Sequence, residues 1–199
     1  LGVRTIGDLA KMPANLLTEK FGENGRLLKN IASGIDNSRV NPCIWNTPKS
    51  IGHETTLFED SNDKAFILAG ILSLSQQVGR RLRKRRLIAR TITLKLRYSD
   101  FTTLTRGSTF PFFTYLDEDI YEIAKKLFLN NWNGTRRIRL IGVTVSNLTS
   151  KDNFTYQLTL FEKDERKWRV TAAMDKVRDR FGEDAITRGS LLGYVEKRK

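Results

Sequence analysis

A chain of 199 residues holds one large domain or two small ones, and 35 lysines and arginines against 22 acids give it a formal charge of +13. Such an excess suits a polyanionic partner, nucleic acid or an anionic membrane surface, while 39% hydrophobic residues and a mean hydropathy of −0.41 allow small cores under much solvated surface. No apolar run approaches the roughly 20 residues of a membrane span, no secretory signal opens the chain, and a single cysteine forms no internal disulfide, so a cytoplasmic protein is expected.

The pattern begins mid-stream at Leu1, as in a piece of a longer protein. Residues 1–36 read as short helices: Pro13 can open one, and "ENGRLLKNIASG" ends another at Gly34, a residue suited to a helix C-terminus. Residues 37–49, "NSRVNPCIWNTPK", carry two prolines and no periodicity and read as a linker. "SIGHETTLF" from Ser50 is strand-like. Residues 63–86 then place Ile67, Ile71, Leu74, Val78 and Leu82 on a helical stripe. "ARTITLKLRYS" alternates Ile92, Leu94, Leu96 and Tyr98 inward with Thr91, Thr93, Lys95 and Arg97 outward, a half-buried strand. Ser99-Asp100 turns it into "FTTLTRGSTF", where Gly107 is expected to mark a bulge. Asp117 to about Asn131 is helical, with Ile120, Ile123, Leu127 and Leu129 as its apolar side. "RIRLIGVTVSNL" is the last long strand, its alternation slipping near Gly142. The order β-α-β-β-α-β gives an α+β domain, a four-stranded sheet with two helices on one face. Beyond "QLTLF", residues 168–181 form a further helix with Val170, Met174, Val177 and Phe181 along one side.

Charge is concentrated. From Arg80 to Arg106 run ten basic residues (Arg80, Arg81, Arg83, Lys84, Arg85, Arg86, Arg90, Lys95, Arg97, Arg106) against the single acid Asp100. With helices on one face, the other face of the sheet presents Thr, Ser, Lys and Arg, groups that suit phosphate oxygens. Arg136, Arg137 and Arg139 add charge at the start of the last strand. Few aromatics are expected on the open face, which favours backbone contact with a duplex over a single-strand platform.

Four stretches then match one family in order. "LGVRTIGDLA" with "FGENGRLLKNIASGID", "KSIGHETTL", "TLTRGSTF" and "QLTLF" together resemble the C-terminal half of Y-family translesion DNA polymerases of the DNA polymerase IV group, and "DRFGEDAITRGSLL" resembles the tail of some bacterial members. The resemblance implies a partial thumb over 1–36, a linker over 37–49, a little finger DNA-binding domain over 50–148, and a clamp-binding motif with a helical tail over 149–199. It implies phosphate contacts at Thr105, Arg106 and Ser108. Lys95, Arg97 and Thr103 join them by strand alternation, and Arg137 and Arg139 by position. It further implies duplex primer–template DNA and the bacterial sliding clamp as partners, with Gln157, Leu158, Leu160 and Phe161 binding the clamp; no sustained heptad suggests a dimer, so a monomer is expected.

Polymerase chemistry needs clustered carboxylates holding two divalent metals. The family supplies them, with Mg2+, from a palm; no cofactor and no catalytic residue are expected in this chain. Glu118, Asp119 and Glu122 read as the solvated face of a helix, and Asp175 and Asp179 as helix partners of Lys176, Arg178 and Arg180. No catalytic pair is expected at His53 or Cys43, each the only one of its type, and Trp45 reads as packing in the linker. "QLTLF" lies between the polar stretches "SKDNFTY" and "EKDERK". Its Gln head, spaced aliphatic and Leu-Phe pair suit an extended peptide filling an apolar pocket. Two other readings stay open on the residues: a freestanding accessory protein binding DNA and clamp, and an RNA-binding module.

Overall fold

The strand that organises the domain is β2 (Leu87–Tyr98). Its alternation sends Ile92, Leu94, Leu96 and Tyr98 into the core, each at most 6% exposed, and leaves Thr91, Thr93, Lys95 and Arg97 half-exposed. The computed structural model describes residues 1–40, 48–152 and 165–196. They divide into two compact units, Leu1–Thr47 and Pro48–Lys199.

The first unit holds three short helices, α1 (Ile6–Lys11), α2 (Ala14–Phe21) and α3 (Glu23–Ala32). Thr5 and Asp8 close a reciprocal capping box at the start of α1, the Asp8 amide donating to Thr5 Oγ1 at 3.0 Å and the Thr5 amide to Asp8 Oδ2 at 3.0 Å. Gly22 ends α2 and starts α3 with φ +60°, a conformation that allows helix to follow helix without a loop. Leu17 is fully buried, whereas Ile6, Leu27, Ile31 and Ile35 are at least half exposed.

In the second unit, β1 (Ser50–Ser61), β2, β3 (Thr103–Thr114) and β4 (Ile138–Ser150) form one antiparallel sheet in the order β1-β4-β2-β3. The helices α4 (Lys64–Lys84) and α5 (Asp117–Asn131) connect β1 to β2 and β3 to β4. Each connection joins strands separated by one neighbour, so two split β-α-β units interlock, as the sequence order implies. The stripe of α4 expected from the sequence is the observed core: Ile67, Ile71, Val78 and Leu82 are fully buried, against Ile141, Val143 and Val145 of β4 and Ile120, Ala124 and Phe128 of α5. Burying a side chain of this size contributes about 1.5–3 kcal/mol. Asp63 caps α4, accepting from the amides of Ala65 and Phe66 at 2.9 and 3.1 Å.

Four local expectations are corrected. Gly107 is not a bulge: it pairs in regular register with Thr93, and the irregularity of β3 falls beyond Thr109, where residues 110–113 swell the strand. The alternation of β4 slips not at Gly142 but between Ile138 and Leu140, where the pairing with β2 shifts and Ile138 joins the core. Ile141, Val143 and Val145 face the helices, and Leu140 and Gly142 merely look apolar on the opposite face. Leu129 is 40% exposed, its place in the core taken by Phe128. The fourth concerns α6 (Glu165–Phe181), followed by a 3₁₀ turn (Gly189–Leu191) and α7 (Leu192–Glu196). Its Val170 and Phe181 are exposed while Thr171 and Arg178 are buried.

Ion pairing explains the orientation of α6. Asp175 and Asp179 do not pair with their own helix. Arg80 Nη1 meets Asp175 Oδ1 at 3.2 Å, Arg80 Nη2 meets Asp179 Oδ1 at 2.9 Å, and Arg80 Nε meets Glu183 Oε2 at 2.7 Å. Arg83 bridges Asp175 and the buried Asp117 of α5, both at 2.6 Å. Glu118, expected on a solvated face, pairs with Lys167 and Arg188. Burial alone would lower the pKa of both Arg80 and Arg83, but hydrogen bonds and charge from their carboxylates outweigh it and both rise. Burial holds Asp117 above its ordinary range despite Arg83; Asp175, less buried, ends below it, with Arg83 and then Arg80 prevailing. The described residues flanking 153–164 converge on Tyr115: Lys151 Nζ lies 4.7 Å from its ring centroid, and the Trp168 ring centroid 5.5 Å away.

A buried charge stripped of its partner costs more than an exposed one. Arg83→Met, which leaves Asp117 buried and unpaired, should cost about 3–5 kcal/mol in denaturant unfolding. Asp179→Asn, with a side chain 61% exposed, should cost less than about 1 kcal/mol. Equal losses from the two would contradict this account of the network.

Candidate nucleic-acid interface

Because α4 and α5 cover one face of the sheet, strand register fixes what the other face presents. Read across β1-β4-β2-β3, it is laid out in four rows: Ser50–Ser146–Thr91–Thr109, Gly52–Thr144–Thr93–Gly107, Glu54–Gly142–Lys95–Thr105 and Thr56–Leu140–Arg97–Thr103. Only Leu140 and Gly142 of these are buried. Hydroxyls and glycines therefore make a low, polar surface from which Lys95 and Arg97 stand out.

The third row carries the one acid of the face. Lys95 Nζ donates to Glu54 Oε2 at 2.7 Å, reaching over Gly142. A Cβ at Gly142 would lie 3.2 Å from Glu54 Cβ and 3.3 Å from Lys95 Cβ, tighter than ordinary packing, so glycine there lets the two side chains meet. Arg97 has no carboxylate partner among the described residues; its Nε donates to Thr103 Oγ1 at 3.1 Å. Thr91 and Thr109 share a hydroxyl hydrogen bond at 2.9 Å, and Asn147 donates to Thr91 Oγ1 at 2.8 Å. β3 is an edge strand, and no described strand pairs with its outer side, so a row of its main-chain groups is also available.

The eight residues singled out on this domain do not gather in one place. Lys95, Arg97, Thr103 and Thr105 share the open face. Arg106 and Ser108 pair in register with Leu94 and Ile92, which places them on the helix side of the edge strand. There Arg106 Nε donates to Asn131 Oδ1 at the end of α5, at 3.2 Å. Arg137 and Arg139 sit at one end of the sheet, where Arg137 Nε donates to the Asp60 carbonyl at 2.9 Å and Arg139 approaches Asp60 Oδ1 at 3.5 Å. The clamp residues Gln157, Leu158, Leu160 and Phe161 lie outside the described residues, as do Cys43 and Trp45.

The ten-cation cluster also divides. Arg80, Arg83 and Lys84 are matched by acids of α5, α6 and Glu183, Arg86 by Asp152, and Lys95 by Glu54. Arg81, Arg85, Arg90, Arg97 and Arg106 have no carboxylate partner among the described residues. Sequence reasoning missed Thr144, Ser146, Ser50 and Glu54 as members of the face. The β4 pair was legible from alternation, but that β4 lies between β1 and β2 is a property of the topology.

Residues 48–160, which contain all four strands, match the C-terminal domain of the impB/mucB/samB family. The chain belongs to that family. It is 39% identical to DNA polymerase IV of Pelotomaculum thermopropionicum over 96% of its length and 47% of the relative's. It is 38% identical to DNA polymerase IV of Moorella thermoacetica over 97% of its length and 48% of the relative's. DNA polymerase IV 2 of Bacillus subtilis is 37% identical, over 96% of this chain and 47% of the relative. The chain thus spans about half the length of the curated relatives it matches. No helix of the described residues is long and apolar enough to cross a membrane.

Proposed function

We propose that the open sheet face grips the sugar-phosphate backbone of duplex primer–template DNA, as the DNA-holding part of a lesion-bypassing, error-prone polymerase. The observation that supports this most is the four-row face of Ser, Thr, Gly, Lys and Arg with a single acid, itself tied to Lys95. Hydroxyls and backbone amides donate to phosphate oxygens, cations neutralise them, and glycines let the backbone approach. None of these groups reads base edges, so binding is nearly independent of sequence. Lys95, Arg97, Thr103 and Thr105 act from the face itself, Arg106 and Ser108 from the edge strand, and Arg137 and Arg139 from the end of the sheet. In this reading the two-metal chemistry, with Mg2+, belongs to a palm outside this chain, and the present chain contributes grip rather than catalysis.

Gln157, Leu158, Leu160 and Phe161 dock the protein on a bacterial sliding clamp. Their composition suits an extended peptide with an apolar anchor at Leu160 and Phe161, and the name shared by the relatives supports a replication setting. The protein acts as a monomer on DNA.

Duplex affinity, measured by fluorescence anisotropy, should fall steeply with salt as each neutralised phosphate releases counterion, by about 0.9 in the log–log slope per contact. Arg97→Ala should weaken binding and flatten the slope by about one; Glu54→Gln, which frees Lys95, should strengthen it and steepen the slope by a similar amount. Binding independent of salt would overturn the reading.

For the clamp, titration against the sliding clamp of the same organism should give micromolar affinity that Leu160→Ala/Phe161→Ala abolishes while leaving duplex binding intact. Unchanged clamp affinity in the double variant would refute the docking role.

A further inference from the structure

At the Arg97–Thr103 end of the open face the sheet changes character. Between Thr56 and Ser61 the register of β1 breaks: residues 57–60 stand against the single β4 residue Arg139. A bulge of this kind re-aims side chains. Here Leu57 enters the core, Asp60 turns toward Arg139, and Phe58 is left 93% exposed. Across the same end, the β2–β3 turn holds Phe101 at φ +63°, a left-handed conformation uncommon for a bulky side chain. The turn is closed by hydrogen bonds from the Phe101 amide to the Tyr98 carbonyl and from the Tyr98 amide to the Thr102 carbonyl, both 2.9 Å. Phe101 is 65% exposed, with the Arg139 guanidinium 4.9 Å from its ring centroid. Arg136 stacks beside it on Tyr98 at 3.8 Å.

A single exposed phenylalanine needs no explanation. Two of them held out by a bulge and a strained turn form an aromatic platform at the end of the open face, beside the ion pairs Arg136–Asp100 at 2.5 Å and Arg139–Asp60 at 3.5 Å and at the end where Arg97 lacks a carboxylate partner among the described residues. We propose that Phe58 and Phe101 stack on unpaired bases of single-stranded DNA where it leaves the duplex gripped by the open face. The inference rests on the reading above and extends it. Arg97, which has no carboxylate partner among the described residues, favours a nucleic-acid strand over an apolar protein surface, against which its charge would be left unpaired. Stacking on an aromatic ring tolerates any base, in keeping with an interface that reads no sequence.

The test compares blunt DNA duplex, the same duplex carrying a short oligothymidylate overhang on either strand, and free oligothymidylate. Wild-type chain should bind one overhung duplex about fivefold or more tighter than the blunt one. Phe58→Ala and Phe101→Ala should erase that increment without weakening blunt-duplex binding, and Phe58→Trp should keep it. Phe58 makes so little contact with the fold that its replacement leaves folding intact. Wild-type affinities equal for blunt and overhung duplex, or an increment untouched by both alanine variants, overturn the inference, and an occupant that is another protein would give that flat series. Loss of blunt-duplex binding by the wild type is instead the failure of the duplex reading. Oligothymidylate affinity then still decides this one: it falls in Phe58→Ala if the platform stacks bases and is unchanged if it does not.

Discussion

Successive side chains of a strand point to opposite sides, and in this sheet only one side is covered by helices. The proposed interface follows from that asymmetry at β2. As one of the two interior strands, β2 must satisfy the core with Ile92, Leu94, Leu96 and Tyr98, and in doing so it fixes Thr91, Thr93, Lys95 and Arg97 on the side that stays in water. The pairing of β4 and β3 with β2 then propagates the assignment row by row. A one-residue slip would carry Ile92 into solvent and Lys95 into the core, so the core's apolar burial is also what holds the polar face in register.

Charge obeys a second division of labour. The basic cluster that dominates the middle of the chain is not one surface. Arg80 and Arg83 are drawn inside, where Asp117, Asp175, Asp179 and Glu183 neutralise them and fasten α6 to α4 and α5. The cations left to face a polyanion are fewer: Arg97 on the open face, Lys95 held in check by Glu54, and Arg137 at the end of the sheet, where Arg136 and Arg139 pair with Asp100 and Asp60. Net charge alone overstates the surface available to a polyanion, because buried pairing removes part of it from play.

Period-2 and period-3.6 patterns carried most of the fold. The stripe from Ile67 to Leu82 and the alternation from Ile92 to Tyr98 appear in the structure where the residues put them, because each is a local consequence of burying one side of one element. What the pattern could not carry was long-range. Asp175 and Asp179 looked like partners for their own helix, since nothing local announces that Arg80, nearly a hundred positions away, needs counter-charge. Val170 and Phe181 looked like a buried side for the same reason: the network, not hydrophobicity, orients α6. Within the site, Arg106 and Ser108 follow from a motif and Thr105 from the same motif, yet register separates them onto opposite sides of β3. Phe58 gave no signal at all, because its exposure comes from a bulge whose existence depends on the β1–β4 pairing.

The central claim is that the uncovered sheet face, rather than the helices or the basic end of α4, holds DNA. The most direct measurement is a residue-resolved map of backbone amide shifts on titration with blunt duplex DNA. The account predicts perturbations along Thr93, Lys95, Arg97, Thr105, Gly107 and Thr144, with α4 and α5 silent on their core and outer sides alike. Perturbations centred on Arg80 to Arg86 or on α6, with the four rows unaffected, would contradict it.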